Sequence, residues 1–229
     1  MNFIKKVVLI VFTILVFVSS YYLYNGYKMY KDAIEKVAIE DKVCNIKNKN
    51  DYTKIEDMPK IYLTAVISVE DHRFYKHCGI DIISIFRAFF NDVRHLKFVE
   101  GGSTITQQLA KNIYFTQDKK IERKVAEVFM AFKIEKSYSK DEILELYLNT
   151  SYFGNGFYSV KSASLGYFNK IPKDMSDSEA IMLAGIPNAP SVYNPITNKD
   201  LAIKRQKKVI EKMIKYGNLD NKTAEDILK

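Results

Sequence analysis

Two stretches of this 229-residue chain concentrate side chains able to do chemistry. The first runs Glu70-Asp71-His72-Arg73-Phe74-Tyr75-Lys76-His77-Cys78-Gly79-Ile80-Asp81 and follows the apolar segment Ile61 to Val69. A carboxylate at the end of an apolar helix is partly withdrawn from water, which equips it as a general base or acid, so Glu70 is the candidate. The plainer alternative is that Glu70 and Asp71 cap the helix or pair with Arg73 and Lys76. His72 and His77 lack a third ligand at recognisable spacing, which favours structural or hydrogen-bonding roles over zinc.

The second stretch is Gly101-Gly102-Ser103-Thr104-Ile105-Thr106-Gln107-Gln108-Leu109-Ala110-Lys111-Asn112. Two glycines leading into hydroxyl residues at a helix start would leave backbone N–H groups open to an anion. Lys111 stands one turn beyond Gln107 and Gln108, so amide donors and an ammonium can face one ligand. A third segment, Arg123-Lys124-Val125-Ala126-Glu127, places Arg123 and Glu127 on one helix face. Alone it reads as a surface ion pair worth ~0.3–0.5 kcal/mol. In Lys140 to Asn149, the apolar face of Ile143, Leu144, Tyr147 and Leu148 reads as packing. Ser137-Tyr138-Ser139-Lys140 matches an acyl-enzyme S-x-x-K pattern by chance, since no Lys-Thr-Gly or Ser-x-Asn partner follows.

The elements that must position these groups are helical. Helices are predicted over 60–69, 82–95, 104–112, 119–137, 140–149, 159–168, 177–185, 199–216 and 221–228, from 3.6-residue periodicity and start signals. Ser139 with Glu142 and Ser176 with Glu179 form capping boxes, and Asn198 and Asp220 precede further helical runs. Residues 25–58 read as a polar stem that continues an N-terminal helix and then becomes a tether, with the folded domain starting near Pro59. From Ile80 to Phe98, isoleucines and phenylalanines mix with Arg87, Arg94, His95 and Lys97. A buried helix with a basic edge and a lobe dipping into lipid headgroups share that pattern, and the sequence leaves both open.

Among the first 24 residues only Lys5 and Lys6 are charged, and Val7 to Tyr24 is long enough to cross a bilayer. Lysines before the apolar run place the N-terminus in the cytoplasm, and Tyr21, Tyr22 and Tyr24 suit the far interface. A signal peptide is the competing reading, but Val18-Ser19-Ser20-Tyr21 is a poor cleavage site. The chain is thus organised as 1–24 cytoplasmic tip and anchor, 25–58 stem, and 59–229 a mainly α external domain.

The formal net charge is +8, from 35 basic and 27 acidic residues; beyond the anchor 33 basic side chains remain against 27, or +6. Anionic partners are implied. An exported domain without a helix-turn-helix, zinc-finger or RNA-binding signature excludes nucleic acid and favours anionic lipid or pyrophosphate. Cys44 and Cys78 allow either one disulfide or two unrelated thiols.

Taken in order, the four segments resemble the peptidoglycan glycosyltransferases. The patterns E-D-x-x-F-x-x-H-x-G-x-D, G-G-S-T-I-T-Q-Q-L-x-K-N, R-K-x-x-E and K-x-x-I-L-E-x-Y-L-N stand at 70–81, 101–112, 123–127 and 140–149 without a mismatch. Arg87-Ala88 with Asn91, Tyr152-Phe153-Gly154, Tyr193-Asn194-Pro195 and Arg205 with Val209 and Met213 extend the resemblance. It implies a lysozyme-like helical fold with a smaller membrane-facing jaw, anchored in the bacterial plasma membrane. Its substrate would be lipid II, an undecaprenyl-pyrophosphate-linked disaccharide-peptide, joined to a growing lipid-linked glycan strand with inversion.

The resemblance also implies roles. Glu70 would be the general base on the acceptor 4-hydroxyl, and Glu127 the carboxylate that organises the donor pyrophosphate, directly or through a divalent metal, Mg²⁺ or Mn²⁺. Asp71, Phe74, His77, Ser103, Thr104, Gln108, Lys111, Lys119, Arg123 and Lys124 would line the substrate. Departure of a pyrophosphate develops charge that such cations stabilise. Membrane lipids and cell-wall synthesis proteins are further expected partners. Where the family often has Tyr-Gly-Ile-Glu, this chain has Tyr158-Ser159-Val160-Lys161, so no acid there is given a role. The sequence given ends soon after the Arg205 segment without a transpeptidase domain, which is the monofunctional pattern. A glycan hydrolase and a non-catalytic membrane scaffold are the competing functions; the first has no need of pyrophosphate-binding cations.

Overall fold

The computed structural model describes residues 3–95, 101–116, 118 and 120–228. Helices α1 (Phe3–Lys36), α2 (Ile39–Lys47), α3 (Lys60–Glu70), α4 (Ile82–His95), α5 (Ile105–Tyr114) and α6 (Ile121–Ser137) make up the N-terminal half. They are followed by α7 (Lys140–Leu148), α8 (Val160–Phe168), α9 (Asp177–Gly185), α10 (Lys199–Lys215) and α11 (Asn221–Leu228). The described residues contain no β-strand, only an isolated bridge between Cys78 and Ile80. The mainly α expectation holds, and the predicted helices recur within a few residues.

Local chemistry explains where they start. Thr104 with Gln107, Ser139 with Glu142, Ser159 with Ser162 and Ser176 with Glu179 each form a reciprocal capping box. Each satisfies backbone donors that a helix start leaves unpaired. Ahead of α11, Asp220 accepts from the Thr223 N–H at 2.9 Å.

The core lies where α3 packs on α9 and α10, and where α5 packs on α6 and α7. Tyr62, Ala65 and Val66 of α3, Leu109 of α5, Met130 of α6 and Leu144 of α7 are fully enclosed. Burial of such faces, rather than helix propensity, holds short helices in place.

The stem expectation for 25–58 is corrected. Helix α1 continues to Lys36, but the core then begins at Ile39 rather than near Pro59, because Ile39, Val43 and Ile46 of α2, together with Met58, are buried in it. A single apolar stripe among lysines and acids, at i, i+4, i+7 spacing, is enough to seat one face of a short helix. The segment that follows is stitched to α7: Asn149 Oδ1 accepts from the Thr53 N–H and its Nδ2–H donates to the Thr53 carbonyl, both at 2.8 Å. Glu145 accepts from the Ile55 N–H at 2.7 Å and from the Tyr52 hydroxyl.

Two further ambiguities resolve. Along α4, Ile82, Ile83, Ile85, Phe86 and Phe90 are exposed and only Ala88 is buried among its described side chains, so α4 is not a core helix. Leu96 and Phe98, at the end of that apolar stretch, lie outside the described residues. Cys44 and Cys78 are separate, exposed thiols.

Candidate active site

Glu70 is the last residue of α3, at the mouth of the core rather than on open surface: its side chain is 9% exposed. Its Oε2 accepts from Gln108 Nε2 at 2.8 Å, and the Gln108 carbonyl oxygen accepts from the Tyr147 hydroxyl at 3.2 Å. The other oxygen, Oε1, is buried without a hydrogen-bond donor among the described residues; the nearest cation is Arg205 Nη2, 3.8 Å away. Arg205 is itself held by the Gly185 carbonyl at 3.1 Å and lies over the Tyr193 ring at 5.4 Å. Burial pushes the Tyr147 hydroxyl well above its ordinary pKa, and the Glu70 charge adds to the shift. Tyr147 therefore stays protonated and serves as a donor.

A second carboxylate lies on α6. Glu127 is 2% exposed, its Oε1 paired with Arg123 Nη1 and its Oε2 with Lys124 Nζ at 2.8 Å. Lys124 also donates to Ser103 Oγ at 2.7 Å, tying the loop before α5 to α6. The pair read as a weak surface contact thus centres on a buried carboxylate with two partly exposed cations, and removing both cations would strand its charge. Lys111 of α5 is within electrostatic reach of both carboxylates. Burial holds its pKa below the ordinary lysine value, with Glu127 opposing the shift, Arg123 and Lys124 reinforcing it and Glu70 opposing it.

Among the expected site residues, these contacts join Gln108 to Glu70, and Ser103, Arg123 and Lys124 to Glu127; Lys111 is coupled to both groups electrostatically, and Lys119 lies outside the described residues. Four others, Phe74, Asp71, His77 and Thr104, are engaged by partners within the protein. Phe74 is fully buried with the Lys140 ammonium 4.4 Å over its ring. Asp71 accepts from His77 Nε2, whose distances to Oδ1 and Oδ2 are 3.0 and 2.9 Å, and from the Ile105 N–H at 3.1 Å. Thr104 donates to the Gly79 carbonyl at 2.6 Å and accepts from the Gln107 N–H. Gly79 has φ of 81°, a region that only glycine enters at no cost. These bonds lock α5 against the first motif, and they also occupy the N–H groups of Thr104, Ile105 and Gln107. Of the helix start expected to cradle an anion, these three N–H groups are thus engaged within the protein.

Asp71, His77 and Asp81 do converge, with ligand-type atoms within 4.8 Å of one another, which the sequence spacing did not foretell. Asp81 is engaged by Ser84 and by Arg73 Nε at 3.0 Å, so the cluster is an internally paired lock. A divalent cation does not fit at Glu127 either, since both carboxylate oxygens already face cationic side chains and a metal ion would sit against like charge. His72 stacks on Tyr216, with ring centroids 4.1 Å apart.

Tyr147 and Arg205 are the site residues that sequence reasoning missed. Tyr147 was read as packing, which its complete burial also satisfies, and only the hydroxyl contact reveals its second use. Arg205 stood within the extended resemblance, but no local pattern connected it to Glu70, 135 positions earlier.

A family model described as Transglycosylase matches residues 38–214. Penicillin-binding protein 1F of Bacillus subtilis is 43% identical over 208 residues, which is 90% of this chain and 29% of that protein. Penicillin-binding protein 1A of Neisseria gonorrhoeae is 47% identical over 184 residues, 78% of this chain and 23% of that protein. The chain thus spans less than a third of the length of either relative. A crystal structure of penicillin-binding protein 1A from Haemophilus influenzae covers 78% of this chain and 17% of its own, at 21% identity and a TM-score of 0.47.

Proposed function

The chain belongs to the transglycosylase family, and from that premise we propose that it polymerises lipid II into glycan strands by inverting glycosyl transfer. The observation that carries the reading is the asymmetry of Glu70: one oxygen fixed by Gln108, the other buried and without a donor. That free oxygen is suited to receive the proton of the acceptor 4-hydroxyl as it attacks the anomeric carbon. Proton transfer to Glu70, C–O bond formation and departure of undecaprenyl pyrophosphate complete the step. The negative charge of the leaving group falls to Lys111, Arg123 and Lys124, held in place by Glu127 and Ser103.

A reading as glycan hydrolase is disfavoured by the same cluster, because cleavage of finished glycan develops no pyrophosphate charge. The chain crosses the plasma membrane once through α1, whose residues from Phe3 carry mean hydropathy 2.3 in their most apolar window. Its N-terminus is cytoplasmic and its helical domain external, with the exposed apolar face of α4 resting in the headgroup region. Membrane lipids and cell-wall synthesis proteins are its further partners. The test is polymerisation of labelled lipid II by the wild type and by Glu70→Gln, products separated by length. Long glycan from the wild type alone supports the reading; shortening of preformed glycan without precursor would sink it.

A further inference from the structure

Helix α1 is exposed over its apolar run, packs on α6 and the core through half-buried residues such as Tyr30, Ala33 and Ile34, and has one buried residue, which is also its one glycine, Gly26. A Cβ built there would lie 2.5 Å from Val125 Cβ and Cγ1 and 2.9 Å from the Glu122 carbonyl oxygen, distances no packed side chain tolerates. On the same side, Tyr27 and Tyr30 close on Phe129, with ring centroids 5.2 and 5.9 Å away. The two helices therefore interlock through Gly26, Tyr27 and Tyr30 on one and Glu122, Val125 and Phe129 on the other. A small residue at the crossing permits backbone-level approach, as between helices in membranes.

The other face of α6 is the pyrophosphate cluster. At about 100° per residue, Arg123 and Glu127 project roughly 160° away from Val125. The helix that grips the anchor on one side thus carries the donor-binding charges on the other. The crossing comes two residues past Tyr24, the last residue of the apolar run, a rise of about 3 Å. A pyrophosphate carried on a membrane lipid lies at that headgroup depth.

We propose that Gly26 is a positioning residue: by allowing α6 to cross α1 in backbone contact at the membrane exit, it sets the Arg123, Lys124 and Glu127 cluster at the height of a lipid-borne pyrophosphate. The inference rests on the glycosyl-transfer reading above and adds the depth of the donor site to it. Gly26 touches no substrate; it acts through Val125 and the helix that both faces share.

The test compares the full chain with Gly26→Leu in two settings: proteoliposomes with full-length lipid II, and detergent micelles with a short-chain lipid II analogue. In proteoliposomes the variant should raise KM for lipid II by about tenfold or more with kcat little changed, since ångström-scale misplacement is costly. In micelles, where no bilayer plane fixes substrate height, it should match the wild type within about twofold. An equal loss in both settings, or none in liposomes, overturns the positioning role while a working wild type leaves the glycosyl-transfer reading intact. A wild type inactive in both settings fails that reading, and this inference with it. If Gly26→Leu misfolds, Gly26→Ala paired with Val125→Gly decides. Val125→Gly removes the two nearest atoms and leaves the Glu122 carbonyl at 2.9 Å, so the double variant should recover part of the liposome KM lost in Gly26→Ala, and no recovery at all counts against the crossing.

Discussion

The side-chain amide of Gln108 donates to Glu70 Oε2 at 2.8 Å, leaving the opposite carboxylate oxygen buried without a hydrogen-bond donor among the described residues. Gln108 holds its own orientation because its carbonyl oxygen accepts from Tyr147. Replacing Gln108 by Ala should lower kcat by about tenfold, the cost of one buried hydrogen bond at about 1.4 kcal/mol. KM for lipid II should change little. Steady-state kinetics check this, and a variant with wild-type kcat removes Gln108 from the positioning of the base.

Glu70→Gln should remove polymerisation by about 10²–10⁴-fold while leaving donor binding in place. On the proposed reading Lys111→Ala should weaken donor binding more, because the phosphate contact it would remove precedes reaction. Equilibrium binding of a non-reactive lipid-pyrophosphate analogue separates the two, and equal donor affinity in both variants would refute the division of roles.

Lys111 gives a pH dependence with a definite sign. Its burial favours the neutral amine, so the ammonium is lost on the alkaline side sooner than an ordinary lysine would lose it. KM for lipid II should therefore rise with pH before the usual lysine range is reached. Lys111→Arg keeps its charge there and should move the alkaline limb upward, whatever its activity at neutral pH. Identical limbs in the two proteins would show that another group controls it.

Asp71 is a stability residue in this structure. Asp71→Ala strands the His77 ring N–H and the Ile105 N–H together and should cost about 2–4 kcal/mol, at about 1–3 kcal/mol for each buried donor left unsatisfied. Urea denaturation of the full chain in detergent, followed by far-UV circular dichroism, measures it. A loss below about 1 kcal/mol would mean the first motif and α5 hold together without this lock.

The chain has no tryptophan, so Phe86→Trp on the exposed face of α4 provides a unique fluorophore. In liposomes it should show blue-shifted emission and be quenched by lipids brominated high on their acyl chains. Emission at the fully aqueous wavelength, without quenching, would place α4 outside the membrane.

The sequence by itself determined the elements and most of the chemistry. Capping boxes such as Ser139 with Glu142 and the apolar period of Ile143, Leu144, Tyr147 and Leu148 are local, because a helix reads its own start signals and its own repeat. The motif containing Glu70 and that containing Glu127 were legible for the same reason: each is a contiguous run of side chains.

Only the tertiary structure decided which of those residues face each other. Phe74, Asp71 and Thr104 stand in the same motifs as Glu70 and Gln108, but packing turned them inward, and no spacing rule separates a residue that holds a site from one that lines it. Arg205 reaches Glu70 because α10 packs on α3, and Gly26 meets Val125 because α1 crosses α6. Such juxtapositions join positions about a hundred residues apart, and they exist only once burial of apolar faces has paired the helices that carry them.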